Sequence, residues 1–413
     1  MRPNGRRFWI IAALTLLAAA ATYYMMNGGK TNGAKGEAIH ATALSMWVYS
    51  QGWEAHVSEF QKEHPGIDVD VRYFRSSEQL YTELLASISA NDAPQLAELQ
   101  SFYGLAQLVD TKAVVPVDKT ALPEWPQLIP AFVERYRYHD EHWAVPIGGS
   151  LPLLYYREEL LPGGRASKLA QWSEAEAAAA RPNPDVRESG SQRLWGMAMD
   201  KELPWYLENL SFTPADRGGE GHERKLTALS VWRSWVHEAR LMEPLEHQRA
   251  ASDFINGKAG LFIGSSDKLP TIEKYIGGKF AFDAVRLPEL AQQGIVPGAS
   301  ALMMLQSAPA KAKAAASFVA FMLQEASQTA LWRSDGLIPA RFDVASKLAE
   351  EGTASRRQKL ILESVPSFAV KPPDVSDYGV WTAAQDMLEQ LELQADLPLE
   401  RSIGSVYGKP ARR

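Results

Sequence analysis

Ala43-Leu-Ser-Met-Trp-Val-Tyr49 is an uncharged, mostly apolar run of strand length, and such a run reads as a buried strand. After it, Trp53, Val57 and Phe60 recur at helical spacing, and Val69-Asp-Val-Arg-Tyr73 alternates apolar with polar residues as a half-buried strand does. The chain therefore opens as a βαβ unit. A second helical stripe of Leu80, Leu84 and Ile88 ends at the breaker Asn91-Asp-Ala-Pro94, and Leu96 to Leu99 supplies another short strand. Strands alternating with helices predict an α/β fold on a mainly parallel sheet, whose ligands bind beyond the carboxyl ends of the strands.

A length of 413 residues exceeds one ordinary core and predicts two lobes. There is no cysteine, which excludes disulfides, thiolate metal sites, cysteine nucleophiles and lipid attachment through cysteine. Arg2, Arg6 and Arg7 precede the uncharged stretch Phe8 to Met26, the pattern of a secretory signal or of a single membrane anchor with everything after it facing outward. Ala19 and Ala21 suit cleavage, while Tyr23 and Tyr24 suit an anchor's outer interface, so both outcomes stay open. Asn27 to Gly36 is a glycine-rich polar tether with a reach of roughly 17 Å. Of the chain's 43 basic and 49 acidic residues, five basic and no acidic ones lie in the first 36. The body is therefore acidic, which argues against a nucleic-acid partner.

His139-Asp-Glu-His142 separates Tyr136-Arg-Tyr138 from Trp143-Ala-Val145 and reads as a hairpin turn. A four-residue turn seldom aims all its side chains at one metal ion, so no metal is expected. Pro146-Ile-Gly-Gly-Ser-Leu-Pro152 reads as a flexible segment before the strand Leu153 to Tyr156, a place for the chain to cross between lobes. Leu194 to Met199 is strand-like, Leu203-Pro-Trp-Tyr206 opens a helix, and helical stripes recur at Leu226, Leu229, Trp232, Val236 and at Ala315, Phe318, Val319, Met322. In Phe254-Ile-Asn-Gly-Lys-Ala-Gly-Leu-Phe-Ile-Gly-Ser265 a Gly-Lys turn feeds a short apolar strand ending in small residues. That open end leaves backbone N–H groups and a hydroxyl accessible to a polar ligand.

Taken together, the landmarks Glu59-Phe60 to Pro65-Gly-Ile-Asp-Val69, Asn91-Asp-Ala-Pro94, Trp143-Ala-Val-Pro146, Leu154-Tyr-Tyr-Arg157, Phe254 to Gly260, Ala315 to Leu323, Trp332 and Gly336-Leu-Ile-Pro339 resemble the family 1 extracellular solute-binding proteins. These are the capture subunits of ABC importers for sugars and related polyols. The resemblance implies a two-lobed, periplasmic-binding-protein-like (type II) α/β fold with discontinuous lobes and a hinge. It divides the chain into 1–26 (signal peptide or anchor), 27–42 (tether), 43–146 with 297–339 (lobe 1), 147–296 with 340–403 (lobe 2) and 404–413 (tail). Gln95 departs from the aspartate usual at its position, and no lipobox cysteine follows the leader.

The glycerol-3-phosphate branch looks nearest. Ser150, Ser265 and Gly298 match its ligand-contact motifs, whereas Ser77 stands where that branch has tyrosine, Ser101 where it has glutamate and Leu337 where it has tyrosine. Trp381 stands near the position of its phosphate-pairing arginine. An enclosed phosphate needs charge-assisted partners, so the comparison favours a neutral ligand. Similarity to the maltose-binding branch agrees, since Trp381 and Trp205 fall where that branch has sugar-stacking aromatics. The expected ligand-binding residues are Ser150, Ser265, Gly298, Trp381, Trp205, Ser101 and Ser77.

The expected function is capture of a carbohydrate or polyol at the outer face of the membrane, by an anchored or secreted monomer without cofactor, for delivery to ABC permease subunits. Glycerol-3-phosphate or a glycerophosphodiester is the alternative ligand, with Arg75 able to replace the missing arginine. A tethered ligand sensor is the alternative role. A glycosidase is disfavoured because no carboxylate pair can be placed by spacing and no Gly-x-Ser-x-Gly elbow, P-loop or paired-histidine helix occurs.

Overall fold

The computed structural model describes residues 41–161, 169, 171–180, 195–212, 220–288, 294–370 and 378–408. The expected leader and nearly all of the tether lie outside these residues. Among the described residues no helix is long and apolar enough to cross a membrane.

Among the described residues twelve strands run in chain order: β1 (Thr42–Val48), β2 (Ile67–Tyr73), β3 (Leu96–Gln100), β4 (Arg137–Tyr138), β5 (Glu141–His142), β6 (Val145–Ser150), β7 (Pro152–Arg157), β8 (Trp195–Met199), β9 (Ala259–Ser265), β10 (Phe282–Arg286), β11 (Gly298–Met304) and β12 (Ile338–Pro339). Six of them form the sheet β12-β6-β11-β3-β1-β2, and four form the sheet β10-β7-β9-β8. Each sheet centres one lobe. Helices Trp53–Glu63 and Ser77–Ser89 make the opening β1-α-β2-α-β3 unit, the second capped where Ser76 Oγ accepts from Gln79 N. Their stripes are buried as expected, with Trp53, Phe60 and Leu80 packed inward, and Phe60 meets Phe318 of helix Pro309–Met322 edge-on at 4.9 Å.

The sheets are mixed rather than mainly parallel. β1 pairs in parallel with β2 and β3, but β11 runs antiparallel to both β3 and β6. In the smaller sheet β7 is antiparallel to β9 and β10, and β8 alone is parallel to its neighbour β9. The cause is the route of the chain, which leaves the first sheet after β6, builds the second, and re-enters the first through β11 from the opposite end. Local alternation carries no information about that return.

Pro146 to Ser150, expected as a flexible crossing, is part of β6 and is buried apart from Ser150. Its glycines serve proximity instead of flexibility. A Cβ at Gly149 would stand 2.4 Å from Gly298 O and 2.5 Å from the Phe132 ring, so only glycine lets β6 and β11 approach here. The crossing itself is confined to Leu151, whose N–H donates to Ser266 Oγ at 3.1 Å while its carbonyl accepts from Ser266 N at 2.9 Å. The hairpin at 137–142 is tighter than expected, since Arg137 pairs with His142 and Tyr138 with Glu141 around His139 and Asp140, both at positive φ. At the other end of the chain, residues 404–407, expected as tail, continue the helix Leu399–Tyr407, which buries Leu399 and Ile403.

Two buried carboxylates brace the lobes. Glu98, in the middle of β3, accepts from Tyr49 N and Ser50 N at 3.0 Å, from Ser50 Oγ at 2.8 Å and from Ser300 Oγ at 2.9 Å. Burial raises its pKa, and these four bonds partly offset the rise. Glu392, in helix Tyr378–Leu393, accepts from Trp232 Nε1, Leu245 N and His247 Nε2 at 2.8, 2.8 and 2.9 Å. His247 Nδ1 lies 2.8 Å from Met199 O, so both ring nitrogens face acceptors and the imidazolium is the form the site holds. Burial alone would lower the His247 pKa, but the bond and charge of Glu392, then Met199 O and Glu389, raise it.

A raised histidine pKa contributes stability that is complete below the unfolded value of about 6.5 and is lost as pH rises through the folded value. The melting temperature is therefore expected to fall across that window, and less steeply in His247→Gln. Identical pH profiles for the two proteins would show that the pair does not titrate.

Candidate ligand-binding site

Ser101-Phe-Tyr-Gly104 follows the carboxyl end of β3, the position at which sheets of this kind present residues to ligands. Ser101 is tied down by reciprocal bonds of 2.9 Å, its N–H to Ala299 O and Ala299 N–H to its Oγ. That fixes Phe102, whose ring lies between two tryptophans. Trp381 stacks on it at 5.0 Å with planes 5° apart, and Trp205 stands 5.2 Å away at 36°. A Cβ on Gly298 would be 3.0 Å from the Phe102 ring and 3.4 Å from Ser150 Oγ, and Gly298 is Ser150's partner in the β6–β11 register. Tyr103 stands 5.3 Å from Trp381, 5.1 Å from Tyr378 and, through its hydroxyl, 2.7 Å from Ser77 Oγ.

The structure thus gathers Ser101, Ser150, Gly298, Trp205 and Trp381 around Phe102, with Ser77 joined through Tyr103. The two tryptophans differ in kind. Trp205, in the first turn of helix Leu203–Ser211, is 2% exposed and donates through Nε1 to Val296 O at 2.9 Å. Asn209 of the same helix brackets Val296, donating to its carbonyl and accepting from its N–H at 3.0 Å each. Trp381, one turn into helix Tyr378–Leu393, is half-buried. The first is an anchor for the helix, and the second is partly exposed.

Ser265 lies on the other side of the Leu151 crossing, paired in register with Pro152. It belongs to a polar cluster beyond the carboxyl ends of the parallel neighbours β8 and β9, made with Asp200, Glu202, Tyr206, Asp267 and Lys268. Among the described residues Ser265 Oγ, Glu202 Oε2, Tyr206 OH and Asp267 Oδ1 are buried atoms without a hydrogen-bond partner. Lys268 Nζ lies 2.9 Å from Asp200 Oδ2 as an ion pair, and Lys201 Nζ reaches within 4.0 Å of Glu202 Oε1. Burial, reinforced by the charge of Asp200, raises the pKa of the Glu202 carboxyl. Burial would lower the Lys268 ammonium, yet Asp200, Asp267 and Glu202 together raise it. A Cβ at Gly336, the cap of helix Glu325–Asp335 in the first lobe, would stand 3.0 Å from Asp267 O. The cluster therefore sits at the seam between the lobes.

Phe102, Tyr103, Tyr378 and, apart from Ser265, the polar cluster were not picked out from sequence. Their one signal was position, immediately beyond β3, β8 and β9 or at a helix start. Among the described residues no group of three or more His, Asp or Glu side chains converges as a metal site.

Two sheets joined by short crossings, with aromatic and polar groups collected at the seam, define a two-lobed protein of the periplasmic-binding-protein type. Residues 55–355 match the family of bacterial extracellular solute-binding proteins, and the chain belongs to that family. It is a family of binding proteins that work outside the cytoplasm, so solute capture is its work. No curated protein sequence matches the chain significantly. Solved structures share its fold at low identity. An ABC transporter solute-binding protein from Thermotoga lettingae, bound with α-D-tagatose, is 18% identical with a TM-score of 0.74, covering 89% of this chain and 98% of that one. The GacH receptor of Streptomyces glaucescens, solved unliganded and with acarbose, is 17% identical with a TM-score of 0.72, covering 88% and 96%. UgpB from Mycobacterium tuberculosis, in complex with glycerophosphocholine, is 15% identical with a TM-score of 0.72, covering 89% and 96%.

Proposed function

We propose that the protein captures a carbohydrate or polyol between its lobes and delivers it to ABC permease subunits, without chemistry of its own. The observation that carries this reading is the pairing of the partly exposed Trp381 ring with unpartnered buried oxygens at Ser265, Tyr206, Glu202 and Asp267. An aromatic face covers the C–H face of a sugar ring, and hydroxyl groups satisfy acceptors that the protein leaves open. Ser150 and Gly298 line the crossing between these two walls, while Ser101, Ser77 and Trp205 hold the aromatic side in place. Sugar-type ligands in the Thermotoga and Streptomyces structures support the same class.

Ligand would stabilise the closed arrangement only by binding it better than the open one. Both ammonium groups at this wall, Lys268 and Lys201, already face carboxylates, and Arg75 is exposed, so glycerophosphates are the lesser reading. The leader pattern of the first 26 residues supports release outside the cytoplasm or attachment to the membrane's outer face. A sensor role would use the same capture step.

The test is a thermal-shift screen of the full chain against neutral sugars, polyols and glycerophosphates. A ligand at a hundred times its dissociation constant should add about 2.7 kcal/mol of stability. A shift with glycerol-3-phosphate alone, surviving competition by sugars, would reverse the preferred ligand class. Slow disappearance of bound ligand on incubation would reveal an enzyme.

A further inference from the structure

The polar wall at the ends of β8 and β9 has a surplus of acceptors. Asp200, Glu202 and Asp267 face two ammonium groups, Lys268 and Lys201, and only the Lys268–Asp200 contact is close. Two of the unpartnered oxygens, Glu202 Oε2 and Asp267 Oδ1, belong to carboxylates and can receive bonds only from donors when ionised. The other two, Ser265 Oγ and Tyr206 OH, come from side chains that are 6% and 0% exposed, and leaving such groups unmet in the bound state would be costly.

Resting on the capture function above, we propose that this wall takes the protonated amine of an amino-substituted sugar or polyol, with Asp267 and Glu202 as its acceptors and Tyr206 and Ser265 bonding the neighbouring hydroxyls. An ammonium group supplies three donors and one positive charge, which answers both the open acceptors and the unbalanced carboxylate. A neutral hydroxyl group answers only the first, and a phosphate answers neither. A bare metal ion is a poor fit, because no set of three ligating side chains converges there among the described residues.

The titration state of the wall agrees with the geometry. Burial and the charge of Asp200 raise the Glu202 pKa, so its carboxylate is short of positive charge in the empty site. An arriving cation favours the carboxylate and lowers that pKa again. The charged groups facing Glu202 are Asp200, Asp267, Lys268 and Lys201, and the net effect of adding a positive charge among them is proton release.

The experiment is titration calorimetry of the full chain at about pH 7 with matched probes: 1-amino-1-deoxysorbitol against sorbitol, and glucosamine against glucose and N-acetylglucosamine, with glycerol-3-phosphate as a further arm. The amines should bind at least tenfold more tightly than their neutral partners, with proton release visible as a dependence of the heat on buffer. Asp267→Asn should remove most of that preference while melting like the parent protein. Equal or tighter binding of sorbitol or glucose would overturn the amine assignment and leave sugar capture standing. Preference for glycerol-3-phosphate would overturn both. Binding by none of the probes, or an amine preference untouched in Asp267→Asn, would also count against the assignment.

Discussion

Glu98→Ala is expected to destabilise the unliganded protein by roughly 3 kcal/mol or more, one of the largest losses available to a single substitution in the first lobe. The substitution strands the N–H groups of Tyr49 and Ser50, which leave the end of β1 with no other partner than Glu98 for these bonds. The hydroxyls of Ser50 and Ser300 also lose their acceptor, although a hydroxyl can turn and a backbone N–H cannot. Removing a buried charge that lacks a cation returns some of this cost, which is why the loss is smaller than the sum over four donors. Glu98→Gln keeps one oxygen for the two backbone donors and should lose much less. Denaturant unfolding of the two variants measures the difference, and equal midpoints would mean that the loop after β1 re-forms its bonds elsewhere.

Trp381→Ala should weaken binding of whatever ligand the thermal screen identifies by roughly thirtyfold, since an aromatic anchor of this kind is worth about 2 kcal/mol. The unliganded melting temperature should move little, because Trp381 is only half-buried and its main aromatic partner is the Phe102 ring. Trp205→Ala is the informative contrast. Being 2% exposed and bonded to Val296 O, Trp205 should cost about 3–5 kcal/mol on truncation whether or not ligand is present. If Trp381→Ala instead collapsed the unliganded protein, Trp381 would be a plug between the lobes and the aromatic wall would have to be sought elsewhere.

Much of the fold could be read from local pattern. The strand at Ala43 to Tyr49, the stripe of Trp53, Val57 and Phe60, and the buried strand ending at Ser265 each declare themselves within a dozen residues. What could not be read was pairing at a distance. β11 meets β3 across some two hundred residues, as the Ser101–Ala299 and Glu98–Ser300 bonds show, and nothing in the Gly298 to Met304 run says which way it will enter the sheet. Glycines 148 and 149 were misread for a related reason, because a glycine that admits a neighbouring backbone looks in sequence like one that confers flexibility.

The site divides in the same way. Ser150, Gly298 and the two tryptophans came from resemblance, Ser265 from its strand end as well, and the structure places them near the seam. Phe102 was invisible because a phenylalanine beside Ser101 looks like core until its neighbours are known. Asp200, Glu202 and Asp267 look like surface carboxylates in their loops, and only burial against Tyr206 and Ser265 gives them a chemical meaning.

The return of the chain through β11 also sets an order of events during synthesis. Until residue 298 has emerged, β3 is the outer strand of an unfinished three-stranded sheet, its open edge able to recruit other chains. The whole of the second sheet, β7 to β10, must be made during that interval. The N-terminal half therefore waits, half-built and adhesive, for a strand that is still to come, and the period of greatest risk to this protein falls before its cleft exists at all.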